Sequence, residues 1–261
     1  MAKLIKSNFA RLRSTPLFWA AILVSSLNPL YTVLNHYHYG KQFDLDLAPD
    51  DALIMVADGY IFPIALAILI SLFIGTDYSD KTIRNKLIVG HSRSNTYLSN
   101  LLIGIAVSLA MYGVGAVIAV AIGIPLLGSY ALSMKLLLPQ ILCAAFSVSA
   151  LASVFVLIAM LISNRAISSI SAMLLSAGLA YLPPLLWAEL DSSLDEITAT
   201  GWNYGLYRII YDFLPTCQLY QYTADMESYP KNLAVFPIYS ILILVTTTVI
   251  GILIFKKKNL K

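Results

Sequence analysis

Six long apolar runs alternate with polar connections along the chain. The runs cover residues 17–35, 52–74, 97–124, 136–162, 166–188 and 233–255. A helix needs roughly 20 mostly apolar residues to cross the hydrocarbon core of a bilayer. The pattern therefore predicts an all-α membrane protein with six transmembrane helices. Asp58 and Pro63 interrupt the second run, and Pro125 closes the third. Ser163, Asn164 and Arg165 predict a tight turn between the fourth and fifth. Asn28-Pro29 and Pro63 predict kinks, and Pro183-Pro184 predict a break near the outer end of the fifth helix. No repeat and no low-complexity linker divides the sequence, which reads as one membrane domain over 1–261.

Six spans place both termini on the same side, and the charges choose the side. Thirteen of the 17 Lys and Arg fall in residues 1–15, 75–96 and 256–261 or at Arg165. Lys41, Lys135, Arg208 and Lys231 are the remainder. Twelve of the 14 acidic residues lie on or near the opposite side, Asp77 and Asp80 being the exceptions. The positive-inside rule then predicts cytoplasmic N- and C-termini.

Composition agrees. Hydrophobic residues make up 59% of 261 and charged residues 12%, against about 25% charged in soluble domains. Mean hydropathy is +0.77. A net charge of +3 is too small to argue for nucleic acid. Cys143 and Cys217 have neither a metal spacing nor a disulfide framework and read as small buried residues. The first apolar run is too long for a signal peptide and lacks a nearby small-residue cleavage site, so it is expected to be retained.

Between the second and third spans, residues 75–93 read GTDYSDKTIRNKLIVGHSR. This is the vocabulary of a short capped helix. Ser79 or Asp80 suits the N-cap. Asp77 and Asp80 sit at the positive end of the dipole, with Arg84 and Lys86 toward the other. Asp77/Lys81 and Asp80/Arg84 are acid-first i,i+4 pairs. Ile83 and Leu87 share a face, and Gly90 fits the stop. By these residues alone the segment is either a solvated connector or a docking helix that transmits force from a cytoplasmic partner.

The segment resembles the cytoplasmic loop of permeases of the type-2 class of ATP-binding-cassette (ABC) exporters. The matching text is Thr82-Ile83-Arg84-Asn85-Lys86-Leu87 and Gly90-His91-Ser92-Arg93. An acidic residue precedes it, here Asp77 or Asp80, with Gly75-Thr76 ahead. The opening, Leu4-Ile5-Lys6-Ser7-Asn8-Phe9 through Arg11-Leu12 and Phe18-Trp19, is similar to the amphipathic N-terminal helix of these permeases. Leu214-Pro215-Thr216 with Gln218 is similar to their final outer segment. The branch resembled is that of small six-span permeases of antimicrobial-peptide immunity and bacitracin-type export in Gram-positive bacteria.

The resemblance implies a coupling helix in which Asp77, Tyr78, Asp80, Lys81, Thr82, Ile83, Arg84, Asn85, Lys86, Leu87, Ser92 and Arg93 face a separate cytoplasmic ATPase. It implies two ATPase subunits, a second permease chain, identical or related, and ATP and magnesium bound by the ATPase. It also implies a bacterial plasma-membrane location and outward movement of an amphipathic substrate, such as an antimicrobial peptide or a lipid-like compound. Membrane lipids are expected partners. The chain itself has no G-x-x-x-x-G-K-[ST] phosphate loop and cannot hydrolyse ATP by that route.

The outer segment, 189–232, is polar and aromatic. Leu206, Ile209, Ile210, Phe213 and Leu214 recur at helical spacing and predict an amphipathic helix. Asn203 is available as its cap and Pro215 lies beyond its end. Trp202, Tyr204, Tyr207, Tyr211, Tyr220 and Tyr222 suit a membrane interface. Leu190, Leu194 and Ile197 predict a shorter companion. These helices either lie on the outer leaflet or, as the resemblance implies, re-enter the membrane and close the outer end of a pathway. Asp58, Arg208, Phe213 and Pro215 are the candidate pathway or gate residues, with Arg208 able to pair with Asp212.

His36 and His38, with Asp44, Asp46, Asp50 and Asp51, have donors that suit zinc, but exposed loop polarity explains them more simply, and no metal is expected. No catalytic motif occurs: there is no G-x-S-x-G, no H-E-x-x-H and no pair of acids at a fixed spacing. Gly104, Gly113, Gly115 and Gly123 are expected to allow close helix packing. Two other functions stay open, a channel or sensor without an ATPase and a membrane enzyme acting on lipids.

Overall fold

The computed structural model describes residues 1–44, 61–128, 134–192, 202–224 and 232–259. Among these the chain is helical, with no strand. Helix α1 (Ala2–Ser14) is followed by Thr15, in extended conformation, and then by α2 (Pro16–Phe43), with Pro16 at its start. The chain continues through α3 (Ile61–Ser79), α4 (Thr82–Ile88), α5 (Arg93–Leu127), α6 (Met134–Leu161) and α7 (Arg165–Ser192). It closes with α8 (Trp202–Phe213), α9 (Pro215–Ala224), a 3₁₀ turn (Leu233–Val235) and α10 (Phe236–Lys257). Helices α2, α3, α5, α6, α7 and α10 each contain a stretch long and apolar enough to cross a membrane.

Two of these helices form the centre. In α3 67% of the apolar window is buried, and in α6 61%, against 22–33% in α2, α5, α7 and α10. Helix α3 packs against α7, α6 and α2, and α6 against α10, α5 and α3. The sequence of α6 supplies the reason. Ala144, Ser147, Ala150, Ala152, Ser153 and Ala159 are small and buried, so neighbouring backbones approach closely. In lipid such packing, rather than hydrophobicity, selects the contact face. Gly104 of α5 answers Val156 of α6, and Gly251 of α10 answers Tyr97 of α5, leaving no room for a Cβ at either.

Several boundaries differ from the sequence expectation. Helix α3 runs to Ser79, five residues past the expected end of its span. The polar text Gly-Thr-Asp-Tyr-Ser stays helical because its polar groups find partners: Thr76 Oγ1 donates to Leu72 O at 2.7 Å and Asp77 is paired. The predicted break at Pro183-Pro184 does not occur, since α7 contains both. Prolines inside a spanning helix are tolerated where neighbours re-satisfy the freed carbonyls. Pro125 likewise lies within α5, and Gly113 has open space around it rather than a packing partner. Asn164 caps α7, its Oδ1 accepting from Ala166 N at 2.9 Å and Ile167 N at 3.2 Å.

The bundle has two distinct ends. One carries α1, α4, the α6–α7 turn and Lys258. The other carries α8, α9 and the turn at Leu233. Asp58 and the first part of the second span, Asp46, Asp50, Asp51, Leu194, Ile197 and Lys231 lie outside the described residues.

Candidate functional site: the polar node behind α4

Helix α4 is a single short helix with well-defined stops. Lys81, with φ 56°, precedes it without a side-chain cap. Ser79 and Asp80 do not cap it. Ser79 Oγ donates to Thr76 O at 3.0 Å, at the end of α3, and Asp80 sits on the turn between the helices. At the other end Gly90 N donates to Leu87 O and His91 N to Lys86 O, with Gly90 at φ 98°. That paired closure is the Schellman arrangement the glycine predicts. Ser92 then caps α5 by accepting from Asn95 N at 3.2 Å.

Asp77 is fully buried at the end of α3. It pairs with Arg11 of α1, and Lys86 Nζ of α4 lies 3.1 Å from its Oδ2. The i,i+4 partnership of Asp77 with Lys81 is replaced by these two longer-range pairs. An isolated buried carboxylate is costly in proportion to its lost hydration, so the two cations are what permit its position. Lys86 also donates to Asn8 Oδ1 at 2.9 Å. Asn8 in turn donates to Asn100 Oδ1 at 3.0 Å and Ser99 Oγ at 3.3 Å on α5. Arg11 stacks over the Phe73 ring at 3.9 Å. One polar network around this buried carboxylate thus joins α1, α3 and α4, and through Asn8 reaches α5. Burial lowers Arg11 to about 10, opposed by Asp80, and lowers Lys86 to about 8, with the neighbouring Arg11 charge adding to the effect.

Tyr78, the next residue, faces the opposite way. Its Oη donates to Met160 O at 2.5 Å, and Lys258 Nζ donates to Tyr78 Oη at 2.9 Å and Met160 O at 3.0 Å. Arg93 donates to the carbonyls of Phe255, Lys256 and Lys258, closing the end of α10. Gly75 lets Arg165, at the start of α7, press onto α3. Of the remaining α4 residues, Ile83 is buried and holds the helix to the bundle. Thr82 and Leu87 are half-buried, and Lys81, Arg84 and Asn85 are exposed. The tip is apolar and outward: Ile88 is 72% exposed and Val89 78%.

At the other end a second polar network holds α8 and α9. Gln218 Oε1 accepts from Ser147 of α6 at 2.7 Å and Ser240 of α10 at 2.9 Å. Its Nε2 donates to Asp212 O at 2.9 Å and Phe213 O at 3.3 Å. Asp212 is paired with Arg208 (Nε–Oδ2 3.4 Å) and accepts from Asn232 at 2.6 Å and Gln221 at 3.3 Å. Phe213 meets the Tyr239 ring edge-on at 5.6 Å, and Pro215 opens α9. The apolar stripe of α8 is divided: Leu206 and Ile209 are exposed, Ile210 and Leu214 pack against Leu186, Leu190, Tyr211 and Cys217, and Tyr211 and Asp212 are buried. The described companion of α8 is α9, and Asn203 lies inside α8 rather than capping it.

Sequence reasoning placed Asp77, Lys86 and Arg93 in one segment. It missed Arg11 as the partner of Asp77 and Asn8 as the partner of Lys86, Lys258 under Tyr78, and Gln218 as a hub. Asn8 and Arg11 share the face of Leu4 and Leu12, which was the available signal. His36 and His38 lie in α2, and among the described residues no cluster of three metal-binding side chains forms.

No curated protein matches the chain. The family described as ABC-2 family transporter protein matches residues 4–181, a stretch that contains most of α1, the α4 loop and the polar node. The chain belongs to that ABC-2 family of transporter membrane subunits.

Proposed function

We propose that this chain is the permease subunit of an ATP-driven exporter in a bacterial plasma membrane, coupled through α4 to separate cytoplasmic ATPase subunits and paired with a second permease chain, identical or related. The single observation that carries the coupling role is the construction of α4. Its inner face is held by buried Ile83 and tied to α3 by the Lys86–Asp77 pair, while Ile88 and Val89 stand exposed at its tip. A short helix fixed from behind and apolar at its exposed tip is suited to fill a groove on another protein and to pass its movement into the spans. The concentration of Lys and Arg at this end supports a cytoplasmic placement.

ATP and magnesium bind to the ATPase. The pathway lies between the two permease chains, with α8 and α9 as its outer gate and Arg208, Phe213 and Pro215 as gate residues. The substrate is amphipathic, of the antimicrobial-peptide or lipid-like class, and moves outward.

The test is recovery of the tagged chain from its native membrane in mild detergent, with mass spectrometry of what accompanies it. A stoichiometric ATPase is expected, and it should be lost with Ile88→Asp/Val89→Asp and uncoupled by Arg84→Glu. Recovery of the chain without any ATPase, even after crosslinking at α4, would overturn the reading in favour of a channel, sensor or lipid enzyme.

A further inference from the structure

Helix α1 has two chemically different faces, and the node uses only one of them. Leu4, Asn8 and Leu12 are buried at i, i+4 and i+8, with Arg11 beside them. The opposite side exposes Lys3, Lys6, Phe9 and Arg13. No acidic residue occurs before Asp44, so nothing in α1 or α2 up to that point neutralises these cations.

Three observations indicate what covers the exposed stripe. A single extended residue, Thr15, separates α1 from the spanning helix α2, which holds α1 at the edge of the apolar layer. Trp19, in the first turn of α2, is 55% exposed and donates its indole N–H to Arg13 O at 3.0 Å, an arrangement suited to the membrane interface. Phe9, 50% exposed, stands among the cations, as in helices that lie in the plane of a membrane with an apolar side chain dipped between headgroups.

We infer that the Lys3–Lys6–Phe9–Arg13 stripe of α1 is a binding surface for the anionic headgroups of a phospholipid bilayer, which positions the Asn8–Arg11 side of the same helix against Asp77 and Lys86. The lipid charge under α1 therefore bears on the node that holds α4. Binding requires only that the chain spans a bilayer. The consequence for coupling rests on the exporter reading.

The test uses the purified full chain in detergent, titrated with phosphatidylglycerol or phosphatidylcholine. Thermal midpoint and lipid occupancy by native mass spectrometry are the readouts. Each surface cation contributes enough that its removal weakens anionic-lipid binding roughly fivefold. Phosphatidylglycerol should raise the midpoint more than phosphatidylcholine, less so in high salt. Lys3→Gln/Lys6→Gln/Arg13→Gln should abolish most of the difference, and Lys256→Gln/Lys257→Gln, at the end of α10, should retain it. An undiminished preference in the α1 variant would overturn the inference. Equal occupancy by the two lipids in the unmodified chain would do the same, even if the variant fails to fold. Neither readout involves an ATPase, so this result is separate from the presence or absence of that partner.

Discussion

Lys86 Nζ and Asp77 Oδ2 lie 3.1 Å apart across the turn between α3 and α4, with the aspartate fully buried. Arg11 holds the same carboxylate from α1. Helix α4 is therefore joined to its span by an ion pair that a third helix completes. Replacing Asp77 with Leu leaves two inward cations facing each other without a counter-charge. Breaking a buried pair in this way costs about 3–5 kcal/mol, so the thermal midpoint of purified Asp77→Leu should fall sharply. Arg11→Gln should cost less, because its guanidinium remains partly exposed. Equal midpoints for Asp77→Leu and the unmodified chain would contradict the pairing.

Burial lowers Lys86 to about 8 from its ordinary 10.5. The ammonium is charged at pH 7 and is lost as the pH rises through about 8, leaving Asp77 with Arg11 alone. Coupled ATPase activity of the assembled complex should decline over that range relative to Lys86→Arg, which keeps its charge. Stability should move the other way. Between pH 8 and 10.5 the unfolded chain holds a proton that the folded chain has released, so this group's contribution to unfolding free energy rises with pH. Identical pH profiles for the two chains would show that Lys86 does not titrate in the working range.

Tyr97 occupies the space beside Gly251 where a Cβ would stand. Gly251→Ala must displace that fully buried ring, at about 1–3 kcal/mol for overpacking. Gly113→Ala meets nothing and should be neutral or stabilising by up to about 1 kcal/mol from helix propensity. Thermal midpoints of the two variants in one detergent make the comparison.

Gln218 satisfies two serine hydroxyls and two carbonyls from three helices. Gln218→Leu leaves these groups without that partner, at about 1–3 kcal/mol for each that stays buried. Cys217, its neighbour, is fully buried. With Cys143→Ser as background, a maleimide should label Cys217 slowly in the parent and much faster in Gln218→Leu. Unchanged labelling would mean that Gln218 does not hold α9 in place.

The six spans were legible because each is a local property, a run of apolar residues long enough for a bilayer. The stop at Gly90 and the turn at Asn164 were legible for the same reason: a glycine at positive φ and a side-chain cap act over a few residues. The Arg208–Asp212 pair follows from helical spacing alone. The extent of α3 was not legible, because Gly75 to Ser79 read as loop until Asp77 has Arg11, from a distant helix, to neutralise it. Nor was the continuity of α7, where Pro183-Pro184 obey local rules for breaking a helix and the surrounding bundle overrides them. The apolar stripe of α8 was legible from its spacing, but not which of its members meet the bundle: Ile210 and Leu214 pack inward while Leu206 and Ile209 stay exposed.

Span number, the basic end and the short helix between the second and third spans are written in residues that act on their immediate neighbours, and the sequence alone suffices for them. Which faces meet is a different matter. Lipid tails are as apolar as leucine, so hydrophobicity does not distinguish the side of a helix that faces a neighbour from the side that faces the bilayer. Only the packing of small residues on α6 and the pairing of a few buried polar groups make that choice. That is why Asp77 with Arg11 and Lys86, and Gln218 with Ser147 and Ser240, emerged only once the helices were assembled.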